Sequence, residues 1–401
     1  MEKQSHQNAW FLITLALMSM AGLIGTDVYL PALPEMSKSL GQSADDMQLT
    51  LGIYLFGLAI GQLFLGPITD CYGRRKILLL SFLLFFVASI GCTFAHSFID
   101  ILIYRGLQAL GACGGLVIGR AIVADRFQPE EVGKVFATIF PFVGMSPAIS
   151  PAIGGFIAYY MGWRADFVFM ALFAAVIFFL SLIIIPESLA LKDRKPLKIF
   201  QILSTYPKIL FSRQFVYYTI APCSAYIAFF AYIAQSPFIF HAQGFGERSI
   251  GLFYITLSLS YVAGSFTARA AIKRNRLDNV LNVGFKYFLL GAACFLLVGL
   301  CHLPLLWMVA AISTITFANG FLIPLGMAGV VSAFPGRAGY ASGLLGFLQL
   351  GVAGLTSSFI GEISLNQVDR LAEFIFIAVL LSVLIRWILS PAPLTVNALR
   401  E

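Results

Sequence analysis

Charge is what this sequence has least of. Only 11% of its 401 residues are Asp, Glu, Lys or Arg, less than half the share of about 25% usual in soluble domains. Histidine is scarce, with four in the chain, and the six cysteines (Cys71, Cys92, Cys113, Cys223, Cys294 and Cys301) contain no C-x-x-C pair. That spacing offers no metal site and suggests free thiols in apolar surroundings. No G-x-x-x-x-G-K-[ST] loop occurs, so nucleotide-driven pumping finds no support. No nucleophile–base set stands out either, which argues against an enzyme. The first apolar run follows nine polar residues and exceeds twenty residues, too long for a signal-peptide core, and no cleavage site follows it. It reads as a retained span.

What is abundant is apolar sequence: 59% of residues are hydrophobic and the mean hydropathy is +0.88. Runs of this length and number describe a polytopic membrane protein. Twelve spans are expected, at 10–33, 47–68, 76–96, 99–121, 133–159, 165–186, 214–240, 248–271, 280–301, 304–331, 338–361 and 370–390. They must be helices, because lipid gives the backbone no external hydrogen-bond partner. With the N-terminus in the cytoplasm, 21 of the 26 Lys and Arg fall in inside segments, four fall outside and Arg105 lies within a span. The positive-inside rule therefore sets both termini in the cytoplasm. The longest polar connection, Glu187–Arg213, is basic and parts the chain six spans from six. This suggests bundles at 1–186 and 214–401 joined by a cytoplasmic linker at 187–213. Its lysines read as an orientation signal, with contact to anionic lipid as the alternative.

Asp27 is the one acidic residue of the first span. A carboxylate at such a place costs about 2.5–3.5 kcal/mol to insert and usually marks a pathway; the alternative is a cap near the outer interface. Ser43-Ala44-Asp45-Asp46 looks like a capping box opening the second span. Gly57/Gly61, Gly111/Gly115, Gly115/Gly119 and Gly339/Gly343 are small-x-x-x-small pairs suited to helix–helix seams. The two halves are weakly alike. Gly66–Lys76 joins spans two and three and Gly264–Arg274 joins spans eight and nine, with Ala268 standing where the first half has Asp70. Repeated six-helix halves with a site between them are a recurring transporter plan.

Gly66-Pro-Ile-Thr-Asp70-Cys-Tyr-Gly73-Arg74-Arg75-Lys76 resembles the loop signature G-x-x-x-D-x-x-G-R-R-K of the major facilitator superfamily. Arg105-Gly-Leu-Gln108-Ala-Leu-Gly111 is similar to its fourth-helix signature. Gly144-Met-Ser-Pro147-Ala-Ile-Ser-Pro151-Ala-Ile-Gly154-Gly155 is similar to its fifth-helix antiporter signature, with unusual glycine spacing. Thr26-Asp27-Val-Tyr29-Leu-Pro31-Ala-Leu-Pro34 resembles the first helix of the bicyclomycin/chloramphenicol-resistance type of drug:proton antiporter. So do Arg120–Asp125, Gln235–Phe240 and Phe334–Ser342.

The resemblance implies an all-α fold of twelve transmembrane helices in two pseudo-symmetric six-helix bundles. It also implies a monomeric exporter in a bacterial inner membrane, trading small amphipathic molecules such as drugs for protons. The proton gradient is the energy source, with no cofactor, metal or nucleic acid. A dedicated exporter of a siderophore or amino-acid-like metabolite is the alternative within transport, and a non-transporting membrane sensor the alternative outside it. Asp27 and Arg105 are each about 9 Å below a helix end at 1.5 Å per residue, and the family sets their helices side by side. Their approach would favour an ionised carboxylate and burial a protonated one, so a proton could be bound and released. Arg105 as a static clamp on backbone carbonyls is the other reading. Gly66, Asp70, Gly73, Arg74 and Asp125 are candidates for a gate at the cytoplasmic helix ends. By the family pattern, Asp70 would face the N-terminus of the eleventh helix; an ordinary topology signal is the alternative. Pro147, Pro151, Gly154 and Gly155 suggest a kinked pivot in span five, or a passive kink. Tyr29, Tyr226, Tyr232, Gln235, Tyr254, Asn319 and Gln349 are candidate cavity walls, their aromatic faces suited to apolar or cationic guests.

Overall fold

The computed structural model describes residues 2–127, 129–194, 196, 206–334, 338–364 and 367–389. Within 129–148, side chains are described only at Val135, Thr138, Ile139 and Ser146. Twelve long helices follow one another. They are α1 (Glu2–Asp27), α2 (Ala44–Tyr72), α3 (Arg74–Thr93), α4 (Phe98–Arg126), α5 (Pro129–Met161), α6 (Arg164–Ile184), α7 (Arg213–Ala242), α8 (Glu247–Ile272), α9 (Leu277–Leu300), α10 (Leu305–Ala333), α11 (Ala338–Ser364) and α12 (Val368–Leu389). No strand occurs among the described residues. Among the described residues eleven stretches are long and apolar enough to cross a membrane, and Ile149–Met161 of α5 is a shorter apolar stretch.

Helix starts follow the chemistry of their first residues. Ser43 Oγ accepts from Asp46 N at 3.0 Å and Asp46 Oδ2 accepts from Ser43 N at 3.1 Å, the reciprocal box expected there. An unforeseen second box opens α4, where Ser97 Oγ accepts from Asp100 N at 3.2 Å and Asp100 Oδ2 accepts from Ser97 N at 3.0 Å.

The first span differs from expectation. It does not end at Leu33: α1 stops at Asp27, a single 3-10 turn covers Leu30–Ala32, and a short helix continues over Leu33–Leu40. Pro31 and Pro34 lack the amide protons an unbroken helix would use, and each stands at the start of its own segment, where the loss is harmless.

Packing repeats with a shift of six. In the first half α1 packs on α4, α5 and α6, α4 on α2 and α3, and α3 on α6. In the second, α7 packs on α10, α11 and α12, α10 on α8 and α9, and α9 on α12. The same shift exchanges the two main seams between halves, α2 on α11 and α5 on α8. Burial distinguishes centre from rim. In α7 72% of the apolar window is buried, whereas in α6 the figure is 33%, and Leu172, Val176, Phe179 and Ile183 form an exposed stripe that suits lipid.

At the end away from the basic loops the halves meet closely. Lys38 Nζ lies 2.8 Å from His241 Nε2, and Gln235 Nε2 donates to Gln48 Oε1 at 3.5 Å. Gly361 lies against Asp45, and Gly52 against Ser358. At the basic end, Tyr206 Oη donates to Leu63 O at 3.4 Å, tying the stretch before α7 to α2.

Candidate substrate and proton site

Asp27 is 4% exposed and lies thirteen residues before the end of its apolar stretch at Leu40. This is not the outer-interface cap considered above. It lines a cavity of about 10 Å³ with Leu30, Pro151, Phe229, Ile233, Tyr254, Leu257 and Ser258, room for about one water. Apart from Leu30 of the turn after α1, these residues come from α5 in the first half and from α7 and α8 in the second, so the carboxyl group faces the space between halves. Its Oδ2 has no hydrogen-bond partner among the described residues.

Arg105 does not pair with Asp27. Its Nη1 donates to Gly25 O at 2.8 Å and to Gln108 Oε1 at 2.5 Å, and its Nε donates to Thr50 O at 3.4 Å. The guanidinium stands 4.2 Å from the centre of the Tyr29 ring and 3.9 Å from that of Tyr54. It is fully buried inside the first bundle. The reason is angular. Residues two apart on a helix point to different sides, so a group clamping Gly25 from within the bundle misses Asp27, which looks outward. The clamp on carbonyls is the arrangement present.

The candidate cavity walls separate into groups. Tyr254 lines the Asp27 cavity, with its hydroxyl 2.7 Å from Ser236 Oγ, whereas Tyr226 packs on Phe230 of its own helix, with ring centres 5.5 Å apart. Tyr29 instead turns into the first bundle, its hydroxyl 3.1 Å from Thr50 Oγ1 and its ring 5.8 Å from that of Phe167. Tyr232 turns into the second, its ring 6.4 Å from that of Phe295. Gln235 sits at the far seam beside Gln48. Asn319 and Gln349 are buried in α10 and α11, and Asn319 Oδ1 has no partner among the described residues.

The glycine pair of α5 is a wedge. Gly154 abuts the Val28 carbonyl at the end of α1, and Gly155 abuts the Glu247 carbonyl at the start of α8. Pro151 and Gly251 meet on the same seam. A side chain at either glycine would collide with fixed backbone. Pro147 lies outside the residues whose side chains are described, as do Pro335–Arg337 of the matched stretch before α11.

At the basic end Arg74 forms an ion pair with Asp70 and another with Asp125, the second at 3.0 Å. It also donates to Thr69 Oγ1 at 2.7 Å, and its backbone N–H donates to Glu187 Oε1 at 2.9 Å. Ser188 Oγ donates to Asp125 Oδ2 at 2.9 Å. The group thus ties the turn between α2 and α3 to the segment after α6. Among the described residues the ion pairs of Asp70 and Arg74 stay within the first half, while the stretch just before α11 lies outside those residues. Glu187 and Ser188 were missed because nothing local in a polar connection marks which residue returns to a distant turn. Gly73 has a φ of 99°, and a Cβ there would meet Arg194 Nη2 at 2.6 Å. Gly66 has open space around it.

Several arginines counted with the inside segments lie within helices. Arg386 of α12 is buried and meets Asp278 at 3.6 Å and Asn282 Oδ1 at 3.2 Å. Arg120 of α4 is half-buried.

Two pseudo-repeated halves, a buried carboxylate facing the space between them and close glycine seams follow the plan of a membrane transporter. Residues 15–358 match the Major Facilitator Superfamily, and the chain belongs to that family. It is 24% identical to a bicyclomycin resistance protein homolog of Haemophilus influenzae, over 95% of this chain and 96% of that one. It is 28% identical to a chloramphenicol resistance protein of Pseudomonas aeruginosa, over 90% of this chain and 84% of that one. Among solved structures it is similar to a D-xylose–proton symporter, with a TM-score of 0.74 and 16% identity over 95% of this chain and 98% of that one. That last likeness concerns the fold alone. The chain is therefore a multi-pass membrane transporter whose relatives include antibiotic-resistance proteins.

Proposed function

We propose that this transporter exports small amphipathic compounds from the cytoplasm of a bacterium across the inner membrane, in exchange for protons. Asp27 carries the proposal: a carboxyl group buried between the halves, with Oδ2 unpartnered and room beside it for about one water. In its acid form such a group is cheap to bury, and in its ionised form it needs water or a cation. Opening the cavity to one side and then the other would let it load and unload a proton. Tyr254, Phe229 and Ile233 give the same chamber an aromatic and apolar wall, which suits amphipathic guests. The relatives named for bicyclomycin and chloramphenicol resistance support drugs as cargo.

Inside-out vesicles carrying a proton gradient provide the test. Adding chloramphenicol or bicyclomycin should dissipate the gradient with the native chain and leave it intact with Asp27→Asn at equal membrane expression. Undiminished drug-driven proton release from the Asp27→Asn vesicles would remove the basis of the proposal.

A further inference from the structure

A second cavity opens at the basic end of the second half, where α7 begins and α10 and α12 finish. It encloses about 260 Å³ and is lined by Arg213, Gln214, Tyr217 and Tyr218 of α7, with Ser332 of α10 and Leu389 of α12. These residues all belong to the second half, so this cavity is distinct from the chamber of Asp27. Its volume falls below the range of about 300–1,000 Å³ usual for drug-sized ligands. It also lies at helix ends rather than at mid-span. Something smaller than cargo suits it better.

The walls are held in place by contacts between the three helices. Arg213 Nε donates to Leu389 O at 3.2 Å, tying the start of α7 to the end of α12. The rings of Tyr217 and Tyr218 meet edge to face, with centres 5.0 Å apart. A Cβ at Gly329 would collide with Tyr218 Cδ1, so a missing side chain on α10 lets that ring close against it. On the other side of Tyr217, the guanidinium of Arg386 stands 4.0 Å from the ring centre, and Arg386 Nη1 donates to Tyr217 O at 3.3 Å. Arg386 also meets Asp278 at 3.6 Å. Two cations against one anion leave the surroundings positive. Ser212 supplies no side-chain cap to α7, and the positive end of that helix adds to the same sign.

The depth is that of a membrane surface. The apolar stretches of α7, α10 and α12 all end here. Phe211 and Trp387, each two residues from a lining residue, are exposed, and tryptophan in particular gathers at headgroup level. The positive-inside rule sets this end on the cytoplasmic side, where basic pockets between spanning helices bind lipid headgroups. We propose that the cavity takes the phosphate of an anionic phospholipid. Arg213 supplies the counter-charge, its planar fork of donors matching phosphate oxygens. Gln214 and Ser332, both exposed, supply further donors. The acyl chains lie along the apolar surface of the spans. The site is outside the Asp27 chamber, and its assignment stands or falls independently of the exporter reading.

The test titrates the purified full chain in neutral detergent with dioctanoyl phosphatidylglycerol and with dioctanoyl phosphatidylcholine, and counts bound lipid by native mass spectrometry. Phosphatidylglycerol should bind at least about tenfold more tightly, the scale of one charge-assisted contact. Arg213→Gln should bring the two lipids within about twofold, and Arg213→Lys should retain part of the preference. Ser332→Trp fills the cavity and leaves its charge alone, and it should weaken phosphatidylglycerol by about tenfold or more. Arg274→Gln, exposed and outside the cavity, controls for diffuse charge and should keep the native preference. Equal binding of the two lipids by the native chain, an unchanged preference in Arg213→Gln, an unchanged affinity in Ser332→Trp, or the same loss in Arg274→Gln would each overturn the assignment. Inorganic phosphate at the concentration of the lipid should not compete. Competition by it would overturn the lipid assignment in favour of a soluble phosphate.

Discussion

Gly155 offers the sharpest test of how the halves move. An added Cβ there would press on the Glu247 carbonyl, with the carbonyl carbon 3.2 Å away and Gly251 Cα 3.4 Å away. All are backbone atoms of α8, so neither a rotamer change nor a small side-chain shift relieves the clash. Overpacking of this kind costs about 1–3 kcal/mol. The contact joins the two halves on the seam between α5 and α8, and the end bearing Lys38 and His241 is shut in this conformation; rocking that end open would separate it. The cost therefore falls on that conformation and not on the separated one, which would shift their ratio by about 5- to 150-fold at 1.4 kcal/mol per tenfold. The assay replaces Lys38 and His241 by cysteine in a background lacking the six native thiols. Their side-chain ends meet at 2.8 Å across the seam; the two shorter cysteines would not reach each other for a direct disulfide, but the native seam should allow rapid bridging of the pair by a short bifunctional thiol reagent. Gly155→Ala should slow it by a factor in that range. Gly154→Ala is the control, because its clash with the Val28 carbonyl lies inside the first half. It should lower overall stability with a smaller effect on the cross-link. Equal cross-linking rates in native and Gly155→Ala chains would refute the argument that this glycine holds the seam.

Further outcomes follow from the same contacts. Arg105→Ala should destabilise the first bundle by about 3 kcal/mol, since hydrogen bonds to a charged group contribute about 1.5–3 kcal/mol each and their acceptors are buried. A detergent melting curve reads this, and an unchanged midpoint would show the clamp to be dispensable. Gly73→Ala should cost about 1–2 kcal/mol for its left-handed backbone, with more for displacing Glu187 and Arg194. Gly66→Ala in the same signature should be neutral or stabilising by up to about 1 kcal/mol, because it is helical and meets no atom. Equal melting points for the two variants would contradict that division of labour.

What the sequence made readable was whatever depends on one helix at a time. Apolar run lengths placed the spans, Ser43 and Asp46 marked a helix start, and the glycine pair of α5 pointed to a close approach because only a missing side chain allows one. Asp27 was conspicuous for the same local reason, as a lone charge in an apolar stretch. Depth could also be counted, and Arg105 does sit level with the end of α1, touching Gly25. Azimuth could not. Which side of α1 meets α4 and which meets α5 depends on packing among several helices, so a pair matched in depth proved to face different ways. The packing itself has an order that no single span carries. Every contact of α1–α6 recurs six helices later, and the shift maps the α2/α11 seam onto the α5/α8 seam. Two seams related in this way can exchange roles as the halves rock, whereas the charged groups are not repeated. Asp27 and Arg120 both belong to the first half, and Ala268 replaces the second copy of Asp70. On the exporter reading, the symmetric part of the chain would supply the motion, and the asymmetric part the chemistry that the motion acts upon.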